Sequence, residues 1–203
     1  QKQQWLQPLL AGEIRSVFCM TEPAVASSDA TNMQATAVID GDEIVLNGRK
    51  WWSSGLGDPN AKIIIFMAYT PDPNKDRHHQ HSMVLVPIDT QGVTIERMLP
   101  VFGDYDAPHG HGQVSFDNVR VPKENLLGMQ GMGFIMLMKE LAWERMLVAI
   151  ICQAGAEAAF AHTVQYTKDR KAFGKAISTF QNTRFKLAEL RTEIDFCRTY
   201  LDR

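Results

Sequence analysis

The hydrophobic period of this chain changes once, at Val121-Pro122, and that switch restricts its architecture more than any other feature. Before it, apolar residues alternate or gather in short runs bounded by turn residues. After it, they recur every third and fourth position. Side chains repeat every two residues along a strand and every 3.6 along a helix, so neither pattern can serve as the other. The chain therefore reads as α+β: an antiparallel β-barrel or sandwich domain over residues 1–125, then part of a helical bundle over 126–203. Gly128, Gly131 and Gly133 are expected to loosen the junction.

Within the first part, strands are expected at 33–39, 43–46 and 49–54, with Asp40-Gly41 and Asn47-Gly48 supplying the positive φ angles of tight hairpins. Further strands are expected at 62–69, 81–87, 93–97 and 113–121, with a polar connection over 72–79. In the second part the spacing predicts helices over 131–153 and 156–169. A third, from Ser178 or Thr179 onward, carries a seam of Phe180, Thr183, Leu187, Leu190, Ile194, Cys197 and Leu201.

Lys+Arg 21 against Asp+Glu 23 leaves a net charge of -2, without the basic footprint that nucleic acid or an anionic membrane attracts. No uninterrupted apolar run approaches the roughly 18 residues of a transmembrane span. Cys19, Cys152 and Cys197 form no CxxC pair, which favours a reducing compartment over a disulfide framework or thiolate zinc site. The first residues resemble neither a signal nor a transit peptide, and the last lie inside a helical pattern. Both ends are expected to continue in a longer protein.

Several residues could carry chemistry. Residues 20–29, Met20 to Asp29, form a loop of small and hydroxylic residues around Pro23, able to offer donors to phosphate or simply to turn the chain. Trp51 and Trp52 precede Ser53 and Ser54. Alternation would send one indole to the core and leave the other free to stack on a planar heterocycle, though both could equally pack inside. Glu144 shares a helical stripe with Leu137, Leu141, Val148 and Ile151. There a carboxylate is either desolvated into a useful general base or paired with a cation, and adjacent Arg145 faces away. His78, His79, His81, His109 and His111 fit no metal-ligand spacing and read as solvated loops, with no metal expected. Arg170 to Lys175 suits a solvated helix end or a pyrophosphate.

Five segments in order, Met20 to Pro23, Asn47 to Gly55, Phe116 to Pro122, Gly131 to Phe134, and Arg170 to Gln181, together resemble the acyl-CoA dehydrogenase family across nearly the whole chain. The resemblance implies a middle β domain and the first helices of a C-terminal bundle, with FAD between them and across a subunit boundary. By position, Phe18, Met20, Thr21, Ser27, Trp52, Ser53 and Ser54 would line the flavin. Arg170, Phe173, Phe180 and Gln181 would meet the adenine dinucleotide of a neighbouring subunit. Ser27, Met138, Leu141 and Arg145 would meet the acyl-CoA. Glu144, immediately before an arginine, matches the catalytic position of the long-chain and isovaleryl types. Residues 24–29 are bulkier and one residue longer than in many members, and Ala142 replaces a frequent aspartate.

The implied reaction is αβ-dehydrogenation of an acyl-CoA thioester to the trans-2-enoyl-CoA. Electrons would pass to an electron-transfer flavoprotein or similar acceptor, and the protein would be a homodimer or homotetramer. An acyl-CoA oxidase and a non-catalytic acyl-CoA-binding scaffold are the alternatives. The compartment implied is the cytoplasm of a bacterium, or the mitochondrial matrix or peroxisome of a eukaryote, not the secreted space.

Overall fold

The computed structural model describes residues 1–203. They form two compact units, Gln1–Met138 and Lys139–Arg203. The first opens with a π-helical turn and a short helix α1 (Gln7–Ala11). It then forms one eight-stranded sheet from β1 (Arg15–Cys19), β2 (Thr36–Asp40), β3 (Glu43–Ser54), β4 (Ala61–Tyr69), β5 (His81–Pro87), β6 (Val93–Met98), β7 (His111–Pro122) and β8 (Leu126–Leu127). The order is β6-β7-β3-β2-β4-β5-β8, with β1 alongside β4. Its main pairings are antiparallel, except that β1 runs parallel to β4 and β2 meets β4 in parallel at Thr36 and Tyr69.

Three sequence expectations are corrected here. Arg15–Cys19 is a strand that no hairpin signal announced, because its partner is distant and parallel. The segments 43–46 and 49–54 are one strand, and of the two dipeptides only Asp40-Gly41, with Gly41 at φ 64°, turns a hairpin. Gly48 instead sits within β3 where the β3–β7 register shifts, at φ 141°, and a Cβ there would lie 2.4 Å from the Ala35 Cβ. Its role is close approach, which only a residue without a side chain permits. The two expected helices are a single helix α2 (Gly133–Asp169) of 37 residues, for Gly155 has open space around it and weakens the helix without breaking it.

Alternating inward residues make the main core, among them Val17, Cys19, Ile44, Leu46, Ile64, Phe66, Val84, Val86, Val114 and Phe116. A second cluster of Ala30, Met33, Met67 and Met83 is covered by Phe18, Met20, Ile65, Leu127, Phe134, Met136 and Leu137. The first turn of α2 thus packs with the sheet. The glycines before it are pinned as well: Gly131 N donates to Ser82 Oγ at 2.9 Å, and a Cβ on Gly131 would strike the His79 carbonyl. The period changes near residue 122, while the compact unit ends at Met138.

In the second unit α2 meets α3 (Gln181–Leu201) through Gln153 Nε2 donating to the Ile194 carbonyl at 3.0 Å, and through Glu157 with Arg198 at 2.8 Å. Between the helices lies a groove of about 400 Å³ lined by Ala156, Ala159, Phe160, Leu190 and Ile194. No residue of α3 is fully buried, so the expected seam is only partly covered. By length and composition α2 is also long and apolar enough to cross a membrane, although charged residues interrupt its apolar sequence. A central bundle helix has the same composition.

Candidate functional site

In the first unit the flavin-lining candidates gather where the loop after β1 meets the end of β3. Thr21 and Trp51 are zipped by two hydrogen bonds, Thr21 Oγ1 donating to the Trp51 carbonyl at 2.8 Å and Trp51 N to the Thr21 carbonyl at 3.1 Å. Beneath them lies an ion pair that the sequence reading missed. Lys50 is fully buried, and its Nζ donates to Glu22 Oε1 at 2.8 Å and to the Met20 carbonyl at 2.7 Å. The Glu22 carboxylate also accepts from Gln34 N at 2.8 Å and Ala35 N at 3.0 Å. Burial holds the Lys50 ammonium below its ordinary range, and the Glu22 carboxylate opposes that shift. The pair ties both ends of the 20–35 loop to β3.

The expectation that one tryptophan enters the core is not met. Trp51 is half-buried and Trp52 is 43% exposed, because β3 carries an extra residue against β7 between Lys50 and Ser53. This bulge holds Trp52 at φ 51°, a left-handed conformation costing of order 1–3 kcal/mol in a residue with a side chain. Ser53 is the residue sent inward, with no hydrogen-bond partner for its buried Oγ, beside the Cys19 thiol. Burial pushes that thiol up to about 11. Ser54 faces outward. Its Oγ lies 2.9 Å from His111 Nδ1, and the His111 ring lies 6.3 Å from the Trp52 ring.

The other candidates of this unit are less exposed. Ser27 is buried and its hydroxyl is spent on the loop, accepting from Glu22 N at 2.8 Å. Phe18 and Met20 pack on the second core cluster. The structure thus brings together Thr21, Trp52 and Ser54 as outward or half-buried groups, with Ser27 and Ser53 as buried supports. The reading of the histidines as solvated loops fails for two of them. His81 is 1% exposed in β5, and His111 is half-buried in β7. Period-two alternation carried a signal for Lys50, which follows Ile44, Leu46 and Gly48 on one face. No local signal marked Glu22 as its partner.

In the second unit Arg170, Phe173, Phe180 and Gln181 surround one small hairpin. Strands β9 (Lys171–Ala172) and β10 (Lys175–Ala176) are joined by Phe173 at φ 53° and Gly174 at φ 77°. A phenylalanine in that conformation, 95% exposed, is strained and solvated at once, and its ring meets Phe180 edge-on at 6.3 Å. Lys175 Nζ lies 4.6 Å over the Phe180 ring. Gln181 opens α3. Glu144 and Arg145 are exposed on α2, as are Val148 and Ile151. The desolvation expected of Glu144 is therefore absent in this unit, because α2 is apolar on more sides than α3 covers. Leu141 is half-buried, and Met138, the last residue of the first unit, is 42% exposed.

Two family models match the sequence: the acyl-CoA dehydrogenase middle domain over residues 17–119 and the acyl-CoA dehydrogenase C-terminal domain over residues 131–203. A Mycobacterium tuberculosis protein named "Probable acyl-CoA dehydrogenase FadE2" is 49% identical over 198 residues, which is 98% of this chain and 48% of that protein. The crystal structure of acyl-CoA dehydrogenase from Geobacillus kaustophilus is 39% identical with a TM-score of 0.89, covering 100% of this chain and 52% of the other. A structure described as the FAD complex of PigA is 27% identical with a TM-score of 0.86, covering 98% and 50%. The chain spans about half the length of these proteins.

Proposed function

The chain belongs to the acyl-CoA dehydrogenase family, and from that membership we propose that the full-length protein is an FAD-dependent αβ-dehydrogenase of acyl-CoA thioesters. The observation that carries the proposal is Trp52, a flat indole held outward at a backbone cost, with the Ser54 hydroxyl beside it. A fold retains such strain where a site uses it. An exposed indole with an adjacent hydroxyl fits one face and one edge of a planar heterocycle, so these residues fit a flavin. The solved FAD complex of a structural relative supports the same cofactor.

Trp52, Ser54 and Thr21 would hold the flavin directly, with Phe18, Met20, Ser27 and Ser53 shaping their support. Arg170, Phe173, Phe180 and Gln181 would receive the dinucleotide portion in a neighbouring subunit, the guanidinium answering the pyrophosphate. FAD, when bound, supplies the hydride acceptor for the β hydrogen of the substrate. Glu144 would take the α proton on its carboxylate, and Arg145, Met138 and Leu141 would meet the acyl-CoA. The Trp52 indole would exclude water from the reacting face. An electron-transfer flavoprotein or a similar carrier would receive the electrons.

Glu144→Gln tests the assignment of the base, because the amide keeps the shape and loses the basicity. The full-length variant should bind FAD and acyl-CoA as the wild type does. Its flavin should be reduced by substrate about 10²–10⁴-fold more slowly in anaerobic single-turnover mixing. Reduction at the wild-type rate places the base elsewhere. Wild-type protein that takes up no FAD removes the function itself.

A further inference from the structure

We propose that His111 is a positioning residue of the Trp52 wall, fixing the orientation of the Ser54 hydroxyl toward the bound heterocycle. The proposal rests on the flavin reading above and deepens it at the same site. His111 lies 57 positions from Ser54 in sequence, yet the two are register partners across the β3–β7 ladder. Their side chains meet at 2.9 Å, Ser54 Oγ to His111 Nδ1.

His111 Nε2 faces the Asp106 carboxylate at 3.9 Å, so polar groups approach the ring at both nitrogens and hold its plane. The contact at Nδ1 fixes the rotamer of the Ser54 hydroxyl, and the remaining hydrogen-bonding capacity of that oxygen points outward. The His111 ring also braces the indole, with centroids 6.3 Å apart and planes tilted by 51°.

The side-chain pair is not needed to hold the strands. Gly55 N already donates to the Gly110 carbonyl at 2.9 Å, Gly57 N to the His109 carbonyl at 2.7 Å, and Leu99 N to the His111 carbonyl at 2.7 Å. Ser54 is exposed and His111 half-buried, so neither contributes a large share of core packing. What remains for the pair is the orientation of a hydroxyl on the surface that Trp52 presents.

The test is a double-mutant cycle in the full-length protein, stripped of flavin and titrated with FAD. Its readouts are the dissociation constant, the visible flavin spectrum and the thermal unfolding of the apo-protein. His111→Phe and Ser54→Ala should each weaken FAD binding by about three- to tenfold, the weight of one hydrogen bond, and shift the flavin absorption bands. The double variant should be no worse than either single one, and His111→Gln, which keeps a hydrogen-bonding group, should restore most of the affinity and the spectrum. Unfolding of the apo-proteins should stay together. Losses that multiply, a His111→Phe variant with wild-type binding and spectrum, or one whose apo form unfolds early overturn the proposal while leaving the flavin reading intact. Wild-type protein that takes up no FAD overturns both.

Discussion

His81 sits in β5 with 1% of its surface exposed, and neither ring nitrogen completes a hydrogen bond. Burial holds this imidazole below its ordinary value of 6.5. The Lys50 charge pushes the same way, while the backbone of Arg77 and the Asp29 and Glu22 carboxylates oppose it. The folded state therefore binds fewer protons than the unfolded state at pH values below 6.5 and above the lowered folded value. Stability is fully present above that window and falls as the pH drops through it. Urea midpoints taken at about pH 7.5 and about pH 5.5 should fall further for the wild type than for His81→Phe. Equal falls would show that His81 is not the proton-sensitive group. The sequence showed histidines grouped at 78–81 and 109–111 but not which would be buried, because burial here depends on packing such as the Tyr69 ring 5.7 Å away and the approach of Gly133 to the His81 carbonyl.

At the scale of elements, the buried Lys50–Glu22 pair joins β3 to the loop that carries Thr21. Removing one member strands the other charge, at a cost of about 3–5 kcal/mol, whereas removing both charges together costs much less. Lys50→Met should lower the unfolding free energy by that amount in urea titration. Lys50→Met with Glu22→Gln should recover most of it, since the amide oxygen still accepts from the backbone of the loop. A double variant as unstable as the single would show that packing, not charge, is what Lys50 provides. The elements themselves were largely legible, as the strands at 62–69, 81–87 and 93–97 lie close to β4, β5 and β6. Legibility failed where the register shifts. At Gly48 a turn signal served close packing against Ala35, and at Trp52 a bulge reversed the alternation that had sent one indole inward.

Across the molecule, what local patterns could not supply was cover for apolar surface. Trp143, Val148 and Ile151 of α2 and Phe185, Phe196 and Tyr200 of α3 are all exposed, and contiguous apolar faces of this kind mark contacts with further protein. The chain spans about half the length of the Mycobacterium tuberculosis and Geobacillus kaustophilus proteins it resembles. We propose that these faces are covered in the full-length assembly by further helices and by a second copy, as a homodimer or a dimer of dimers. Sedimentation of the full-length protein at micromolar concentration should give a mass above one subunit, and a monomer would contradict the assembly. This also accounts for Glu144, whose apolar stripe was visible in sequence while its desolvation is not present in the second unit alone. The five ordered segments pointed to the family, whereas the faces around Glu144 depend on what packs there.

Gln34 and Ala35 lie outside any strand, yet both amides donate to the buried Glu22 carboxylate that Lys50 holds. A loop amide ordinarily trades its proton for deuterium within the frequent local openings of surface chain. These two can do so only when they let go of the carboxylate that the ion pair holds in place. In heavy water they should keep their protons about as long as amides at the centre of the sheet, an island of slow exchange inside a segment that otherwise exchanges fast.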